Sequence, residues 1–393
     1  MTSFRPKDED ELAAIVGEAA LREEPLEILA GGSKRGLGRP LQLPHTLDLS
    51  AFSGIRLYEP EELVLTAAAA TPMAEIEAAL AEKRQTLAFE PGDWRTLLGS
   101  AAARPTLGGA IAANLSGPRR IRQGAARDHF LGFRGVSGRG EAFKAGGRVV
   151  KNVTGYDLPK LMAGSYGTLA ALTEVTLKVL PLPEATRTLV LMGLDDETAR
   201  RAMSAALKSS HEVSGAAHMP RDALAGSPRT LLRLEGPEPS VVARADALRR
   251  ELAEFGAAEQ LDDAASLALW QSVRDAAPVA LPGAAVWRVS VAPTDGPALA
   301  ARVARAHDAR HFFDWGGGLV WLAVMGAEDG GAASIRATLS GGHATLIRAP
   351  DALRAAVPPF EPQPPALAAL TARVKAQFDP RRILNRGRMY RDL

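Results

Sequence analysis

Apolar and polar positions recur along the chain with two different periods, and these periods predict its secondary structure. Residues 7–21 carry apolar side chains at helical spacing behind a run of acids, which predicts a first helix. A second helix is predicted to begin after Pro72. Apolar runs bounded by turn residues predict the strands of the first half of the chain at 26–29, 62–70, 143–151 and 169–179.

The second half of the chain repeats one order of elements twice. From about Thr186 the pattern predicts strand, helix, strand, strand, helix, strand at 187–193, 196–209, 212–218, 229–235, 239–255 and 257–262. The same order follows at 285–291, 296–307, 309–314, 319–324, 331–340 and 343–349. Because this is the order of a ferredoxin-like unit, we expect two such units side by side in one antiparallel sheet with helices on one face.

A proline-rich stretch separates these units from the end of the chain. Five prolines in Val357–Pro365 remove backbone donors and fix φ, so a stiff connector without regular structure is predicted there. An amphipathic helix and a basic tail, DPRRILNRGRMYRDL, follow it. Since 393 residues exceed the usual size of one hydrophobic core, we predict an α+β protein in three parts, at 1–183, 184–356 and 357–393.

The composition excludes several classes of protein. Apolar residues make up 46% and charged residues 23%, as in soluble globular proteins. The chain has no cysteine, which excludes disulfides, a thiol nucleophile, a cysteinyl flavin and any cysteine-ligated zinc or iron–sulfur centre within it. The sequence has no apolar secretion signal, twin arginine or long uncharged apolar run, so we expect a cytoplasmic protein, at most peripheral to a membrane.

Two glycine-rich stretches offer places where a ligand could approach the backbone. They are AGGSKRGLG at 30–38 and PTLGGAIAANLSG at 105–117. Neither has the spacing of a P-loop, and no GxGxxG follows a strand. Between Arg119 and Lys151, nine lysines or arginines accompany two acids, a net charge of +7. This pattern fits a solvated basic face, a nucleic-acid site or a dinucleotide pyrophosphate site, and the sparse aromatic residues favour the pyrophosphate.

Metal and hydrolase chemistry have less support. His307 and His311 have the i, i+4 spacing of metal ligands, but no third ligand accompanies them and a predicted strand start separates them. We therefore predict no metal site. The segment AGSYG has Ala163 where a serine hydrolase elbow requires glycine, so a nucleophilic serine is not predicted.

The ordered set of motifs resembles one family. AGGSKRG, PTLGGAIAANLSG, GAARDHFLGFRGVSGRGE, VVKNVTGYDLPKLMAGSYGTLAALTEVTLKV and FDPRRILNRGRMY are similar, in this order, to the motifs of the vanillyl-alcohol-oxidase (PCMH) type of FAD-binding proteins. Within this family the chain resembles the FAD-binding subunits of bacterial glycolate oxidase, also called glycolate dehydrogenase. SGPRR, DWGGGLVWL and GGHATLIR are typical of those subunits.

The resemblance implies a fold and a cofactor. It predicts a two-part PCMH-type FAD-binding domain at 1–183, an antiparallel-sheet cap domain of ferredoxin-like units at 184–356, and a tail at 357–393 that returns to the FAD domain. Relatives that attach FAD covalently use histidine or cysteine, whereas the first loop here offers Ser33 and Lys34. We therefore expect FAD to be bound non-covalently.

The resemblance also implies which residues hold the cofactor. The first loop would wrap the pyrophosphate with backbone donors, through Gly31, Gly32, Ser33, Lys34 and Arg35. The second loop would lie under the flavin, through Thr106, Leu107, Gly108, Gly109, Asn114 and Ser116. Adjoining segments would contribute Arg127, Asp128, Gly155 and Tyr156, and the adenine end would contact Gly167, Thr168, Glu174 and Val175. The returning tail would contribute Asn385 and Arg388.

By the same resemblance, the chain would support electron transfer in a heteromeric complex that oxidises glycolate to glyoxylate. Its partners would be a catalytic flavoprotein subunit and an iron–sulfur subunit, and no nucleic acid. The catalytic subunit of that complex carries HxGDGNxH, whereas this chain has HFFDWGGGLVW, with His311 and Asp314 as an incomplete remnant. No catalytic residue is therefore predicted in this chain.

Two alternatives stay open at this point. One is a self-sufficient FAD-dependent dehydrogenase or oxidase of another hydroxy acid, sugar or alcohol. The other is a scaffold or nucleic-acid binder that has lost the cofactor.

Since Gly108 is expected to face the flavin, Gly108→Val is expected to abolish flavin retention with little loss of fold.

Overall fold

Strands dominate the first part of the chain and carry short helices between them. The computed structural model describes residues 2–148, 155–221, 226–391 and 393. The strands of this part are β1 (Thr2–Phe4), β2 (Leu26–Leu29), β3 (His45–Asp48), β4 (Ile55–Glu59), β5 (Val64–Ala68), β6 (Gln85–Thr86), β7 (Phe130–Ser137), β8 (Ala142–Gly146), β9 (Ala170–Lys178) and β10 (Leu180–Pro181). The helices are α1 (Glu9–Arg22), α2 (Met73–Glu82), α3 (Arg95–Leu98), α4 (Leu107–Ala112), α5 (Arg120–Gln123), α6 (Ala126–His129) and α7 (Leu158–Met162).

Two sheets of this part form the two halves predicted for the FAD-binding fold. A parallel sheet has the order β1-β3-β2, and an antiparallel sheet has the order β4-β5-β9-β7-β8. The prediction missed β7, whose two glycines break its apolar pattern. It also extended β8 too far, because the strand ends at Gly146; the predicted residues 149–151 lie outside the described residues.

The second part of the chain forms one eight-stranded antiparallel sheet. Its strands are β11 (Ala185–Met192), β12 (Gly215–Met219), β13 (Arg229–Gly236), β14 (Ala258–Leu261), β15 (Ala285–Ser290), β16 (Asp308–Asp314), β17 (Leu319–Met325) and β18 (His343–Arg348). Their order is β14-β11-β13-β12-β16-β17-β15-β18, which is two ferredoxin-like units in mirror order. The units join through β12 and β16, where His218 pairs with Phe313. The predicted cap architecture is therefore confirmed.

Helices cover both faces of this sheet, which corrects the prediction of helices on one face. The outer face packs against α8 (Asp196–Lys208), α9 (Glu238–Glu251), α11 (Gly296–Ala306) and α12 (Ala332–Ala337). The inner face packs against α10 (Asp263–Arg274), which the prediction missed, and against the first part of the chain. Trp94 of the first part contacts Trp321 of β17 edge to face, with ring centroids 5.4 Å apart. The inner face is thus a buried junction between the two parts.

A buried network of four charges crosses this junction. Glu90 of the first part accepts two hydrogen bonds from the guanidinium of Arg233 on β13, at 3.0 and 2.9 Å. Arg119 of the first part donates from Nε to Glu235, also on β13, at 3.0 Å. Arg233 is 1% exposed, so these charges are removed from water and require their partners. The network therefore fixes the eight-stranded sheet on the first part of the chain.

The end of the chain returns to the parallel sheet, as predicted. After α13 (Asp351–Ala356), the proline-rich stretch leads to α14 (Pro365–Phe378). The helix begins at Pro365, the last residue of the stretch that was predicted to be irregular. Proline is favourable in the first turn of a helix, which explains this difference. The buried ammonium of Lys375 donates to the carbonyls of Thr168 and Leu384 at 2.6 and 3.1 Å. Leu384 then forms a parallel bridge with Leu26. The tail is thereby fixed beside β2.

We predict that Glu90→Gln destabilises the protein by about 3–5 kcal/mol, because it leaves the buried charges of Arg119 and Arg233 with the single carboxylate of Glu235. Urea denaturation of the purified variants measures this change. The matched control is Asp246→Asn, which removes the partner of Arg249 in an exposed pair and is expected to change stability by less than about 1 kcal/mol. In the double variant with Arg233→Met, the loss should be smaller than the sum of the two single losses. Equal losses for Glu90→Gln and the control would contradict a stabilising network.

Candidate functional site

A cavity of about 840 Å³ opens between the parallel sheet, α4 and the returning tail. This volume includes space that is open to solvent. Small residues and backbone form most of its wall, and the charged side chains among its lining residues are all basic. Among the residues that line it are Ala69, Ala70, Ala112, Ala113, Ala170, Tyr166 and Leu172, which the sequence analysis did not assign.

The first glycine loop forms one wall of the cavity, and its glycines are required by the local geometry. A Cβ on Gly31 would lie 1.8 Å from the carbonyl oxygen of Arg104. Gly32 has a φ of +75°, which favours glycine. The amide of Arg104 donates to the carbonyl of Gly31 at 2.8 Å, so the two glycine-rich stretches are held against each other. The close approach of these backbones shapes the space in front of them.

The second loop enters α4, with Thr106 as its N-cap. The Thr106 hydroxyl accepts from the amide of Gly109 at 3.3 Å. Gly108 does not point only into the cavity, because a Cβ there would lie 2.8 Å from both the Cβ and the carbonyl oxygen of Ala69. The expectation that Gly108→Val spares the fold is therefore wrong, since valine would separate α4 from the segment after β5.

The charges at the cavity leave an excess of positive charge. Lys34, Arg35 and Arg388 line it, and the buried carboxylate of Glu27 pairs with both arginines, at 2.6 Å for Arg35 and 3.3 Å for Arg388. Burial lowers the pKa of Lys34 to about 8 and that of Arg388 to about 10, so both remain mainly protonated at neutral pH. Three cations against one carboxylate leave two positive charges, which match a pyrophosphate dianion.

Asn385 of the tail connects the cavity walls. Its side-chain oxygen accepts from the amide of Ile28 at 2.9 Å, and its amide nitrogen donates to the carbonyl of Tyr166 at 2.8 Å. Gly167 has a φ of +70°, and a Cβ there would lie 2.7 Å from this nitrogen. Asn385 therefore holds β2 and the segment around Tyr166 together at the cavity.

Eleven of the 21 predicted cofactor residues line the cavity, and the others lie behind or beside it. The lining residues are Gly31, Gly32, Ser33, Lys34, Arg35, Thr106, Gly108, Gly109, Gly167, Asn385 and Arg388. Those outside the lining are Leu107, Asn114, Ser116, Arg127, Asp128, Gly155, Tyr156, Thr168, Glu174 and Val175. Several of these brace the loop after α4: the side chains of Asn114, Ser116 and Asp128 accept from the amides of Arg127, Ala126 and Ala125. Tyr156 is 90% exposed. Direct contact of any of them with FAD stays a prediction.

The two histidines that have the spacing of metal ligands have other partners. His307 Nε2 lies 2.7 Å from the hydroxyl of Ser334, and His311 Nε2 lies 2.8 Å from the carboxylate of Asp196 on the outer face. In the part of the chain that the structure describes, no three potential ligands are grouped to hold a metal ion. His311 is also separated from Asp314, which is buried on the inner face. Burial raises the pKa of Asp314 to about 7.

Comparison with known proteins gives the family. A family model described as an FAD binding domain matches residues 3–146. The chain is 37% identical over 381 residues to glycolate oxidase subunit GlcE of Escherichia coli (strain K12), and the match covers 96% of each protein. The chain belongs to the GlcE family. Glycolate oxidase subunit GlcD of Bacillus subtilis (strain 168) matches over 99 residues at 37% identity, 25% of this chain and 21% of that subunit.

Solved structures agree on the fold of this GlcE family member. Substrate-bound p-cresol methylhydroxylase superposes with a TM-score of 0.74 at 13% identity, over 99% of this chain and 88% of that chain. Alkyldihydroxyacetonephosphate synthase gives 0.68 at 15% identity, over 98% and 75%. These likenesses confirm the predicted PCMH-type architecture, and the family assigns FAD as the cofactor and oxidoreductase as the class of enzyme. Within the described residues, no helix is both long enough and apolar enough to cross a bilayer.

We predict that Ala112→Leu lowers flavin content at least about tenfold while the fold is kept. Ala112 lies on α4 and lines the cavity, so leucine fills cofactor space without straining a helix. Absorbance at 450 nm per chain after incubation with FAD measures the effect, and circular dichroism checks the fold. Ala78→Leu on the exposed side of α2 is the matched control and should retain wild-type flavin. Equal flavin in both variants would remove the cavity as the FAD site.

We predict that Asp314 makes stability fall as the pH rises from about 4 to 7. The native state keeps a proton on this carboxyl up to about pH 7, whereas the unfolded chain loses it near pH 4, so the native state binds more protons across that window. Asp314→Asn keeps the oxygen that accepts from the amide of Trp315 and should remove this part of the pH dependence. Thermal melts between about pH 4 and 8, which span the window between the two pKa values, measure it. Asp308→Asn, an exposed control on the same strand, should follow the wild type.

Proposed function

We propose that this chain is the FAD-binding subunit of a glycolate oxidase complex that oxidises glycolate to glyoxylate. In that complex it would act with a catalytic flavoprotein subunit and an iron–sulfur subunit. The match to GlcE over nearly the whole chain supports this assignment, and the match to GlcD is consistent with a related flavoprotein partner. An iron–sulfur cluster would have to reside in a partner, because this chain has no cysteine to ligate one.

The observation that carries the proposal is the cationic, small-residue cavity. Lys34, Arg35 and Arg388 would hold the pyrophosphate of FAD, together with the backbone amides of the first glycine loop. Thr106 and Gly109 would border the cofactor at the start of α4. When bound, FAD supplies an acceptor and donor of electrons. The residues of this chain bind it, orient it and exclude bulk water from it.

Non-covalent binding of FAD is part of the proposal. No histidine is among the described residues that line the cavity, and the chain has no cysteine, so neither usual attachment residue is found there. Acid precipitation of the yellow protein should therefore release the flavin into the supernatant. We also propose the domain division 1–183, 184–356 and 357–393, which separates the sheets of β1–β10 from the eight-stranded sheet of β11–β18 and from the returning tail.

The test is anaerobic addition of glycolate to the purified, FAD-loaded chain. We predict flavin bands that persist with glycolate alone and bleach after the catalytic flavoprotein subunit is added, because this chain is proposed to accept electrons from its partner. Visible absorption spectra recorded over time measure both steps. The partner with glycolate but without this chain is the control for its own flavin.

The other outcomes separate the alternatives. Rapid bleaching of the isolated chain by glycolate would contradict the division of labour and make this chain a self-sufficient dehydrogenase. A chain that takes up no FAD would contradict the flavin assignment altogether and favour a scaffold role.

A further inference from the structure

The second half of the first glycine loop is held by side chains from distant parts of the chain. Arg354 of α13 donates from Nη1 to the carbonyl oxygens of Gly36 and Gly38, at 2.6 and 2.8 Å. Arg388 of the tail donates to the carbonyl oxygen of Leu37, which lies between them, at 3.2 Å. Three successive carbonyls of the loop are therefore bound by guanidinium groups that are 316 to 351 positions away in the sequence.

The helix α13 and the loop are joined by hydrogen bonds in both directions. Arg39, directly after the loop, donates from Nη2 to the carbonyl of Ala355 in α13 at 2.8 Å. Nη2 of Arg354 donates to the carboxylate of Asp351 on the same helix at 2.6 Å, which fixes the plane of the guanidinium. Arg354 is 6% exposed, and a buried guanidinium requires its acceptors. The contact between α13 and the loop is therefore specific.

The half of the loop that Arg354 holds is tied to the half that lines the cavity. The amide of Leu37 donates to the carbonyl of Lys34 at 3.0 Å. The amide of Arg35 donates to the carbonyl of Gly32 at 3.1 Å. Gly32, Lys34 and Arg35 line the cavity, whereas Arg354 is outside the lining. A displacement of the held carbonyls would therefore pass through two short turns to the wall of the cavity.

The charge of Arg354 also acts at the cavity. Burial is the main cause that lowers the pKa of Arg388 to about 10. The charge of Glu27 opposes this shift, and the charges of Arg354 and Arg35 lower the pKa further. The side chain of Asp351, the partner of Arg354, is 78% exposed, so water screens its charge. Arg354 thus adds positive potential beside the place proposed for the pyrophosphate.

We propose that Arg354 is a positioning residue for FAD: by holding the carbonyls of Gly36 and Gly38, it keeps the first glycine loop in the shape that binds the pyrophosphate. It acts through the loop and is not placed in contact with the cofactor. Because α13 follows β18 of the eight-stranded sheet, retention of FAD depends on how the second part of the chain contacts the loop. The inference rests on the proposed function, which assigns the cavity to FAD.

The test compares FAD binding by the full-length, flavin-free chain and its variants. Isothermal titration calorimetry measures the dissociation constant of FAD. Arg354→Met should raise it at least about tenfold, because the loop loses the hydrogen bonds of a charged donor to two carbonyls. Arg354→Lys keeps the charge without the planar fork, so its dissociation constant should lie between those of the wild type and Arg354→Met. It also serves as the measurement if Arg354→Met does not fold.

Arg244 on α9 provides the matched control. Its guanidinium also holds two backbone carbonyls, those of His211 and Glu235, each at 2.8 Å. These three residues lie outside the lining of the cavity. Arg244→Met should therefore bind FAD within about twofold of the wild type, and circular dichroism checks the fold of each variant.

Phosphorus NMR of the chain saturated with FAD separates a positioning role from a general loss of stability. The pyrophosphate resonances of bound FAD should shift in Arg354→Lys and keep their wild-type positions in Arg244→Met. The visible flavin bands should be unchanged in both variants, because Arg354 acts on the loop and not on the flavin ring.

The outcomes distinguish this inference from the proposed function. Wild-type affinity in the Arg354 variants, or equal weakening in Arg244→Met, would overturn the role of Arg354 and leave the flavin assignment intact. Weaker binding with unchanged phosphorus resonances would also overturn it, because the loss would then come from stability alone. A wild-type chain that takes up no FAD would contradict the proposed function, and this inference with it.

Discussion

The buried pairing of Glu90 with Arg233 and of Arg119 with Glu235 is the constraint on which the site depends. Charges removed from water are tolerated only when each has its partner, so the two parts of the chain have one favourable arrangement. This arrangement fixes the inner face of the eight-stranded sheet against the loop after α4. The charged pairs of this junction therefore lie outside the lining of the cofactor cavity.

The same arrangement gives two adjacent arginines different environments. Arg119 faces β13 and pairs with two carboxylates, whereas Arg120 begins α5, lies over the indole of Trp315 and interacts electrostatically with Asp128. At the cavity, Arg35 and Arg388 share the single carboxylate of Glu27. This sharing leaves an excess of positive charge there. Full pairing stabilises the junction, and incomplete pairing at the cavity marks the position where an anion is expected.

Much of the fold was predictable because its determinants are local. The repeated strand and helix periods from residue 185 onward gave both ferredoxin-like units, and glycine-rich motifs located two walls of the cavity. The role of Gly108 was not predictable, since its constraint is the backbone of Ala69, a segment that only the tertiary fold brings close. Nor could Arg119 and Arg120 be distinguished, because Glu235 lies 116 positions away. Ala69 and Ala70, which also line the cavity, belong to none of the motifs.

The separation of His311 from Asp314 follows from the sequence once the two residues are placed on one strand. His311 and Asp314 differ by an odd number of positions on β16, so their side chains point to opposite faces of the sheet. His311 pairs with Asp196 on the outer face. Asp314 is buried on the inner face, where it interacts electrostatically with Arg233 and Arg288. The two residues could not have formed one catalytic pair while β16 remained a regular strand. The two residues that resemble a catalytic remnant in the sequence thus lie on opposite faces of the sheet, which agrees with the proposal that a partner subunit oxidises the substrate.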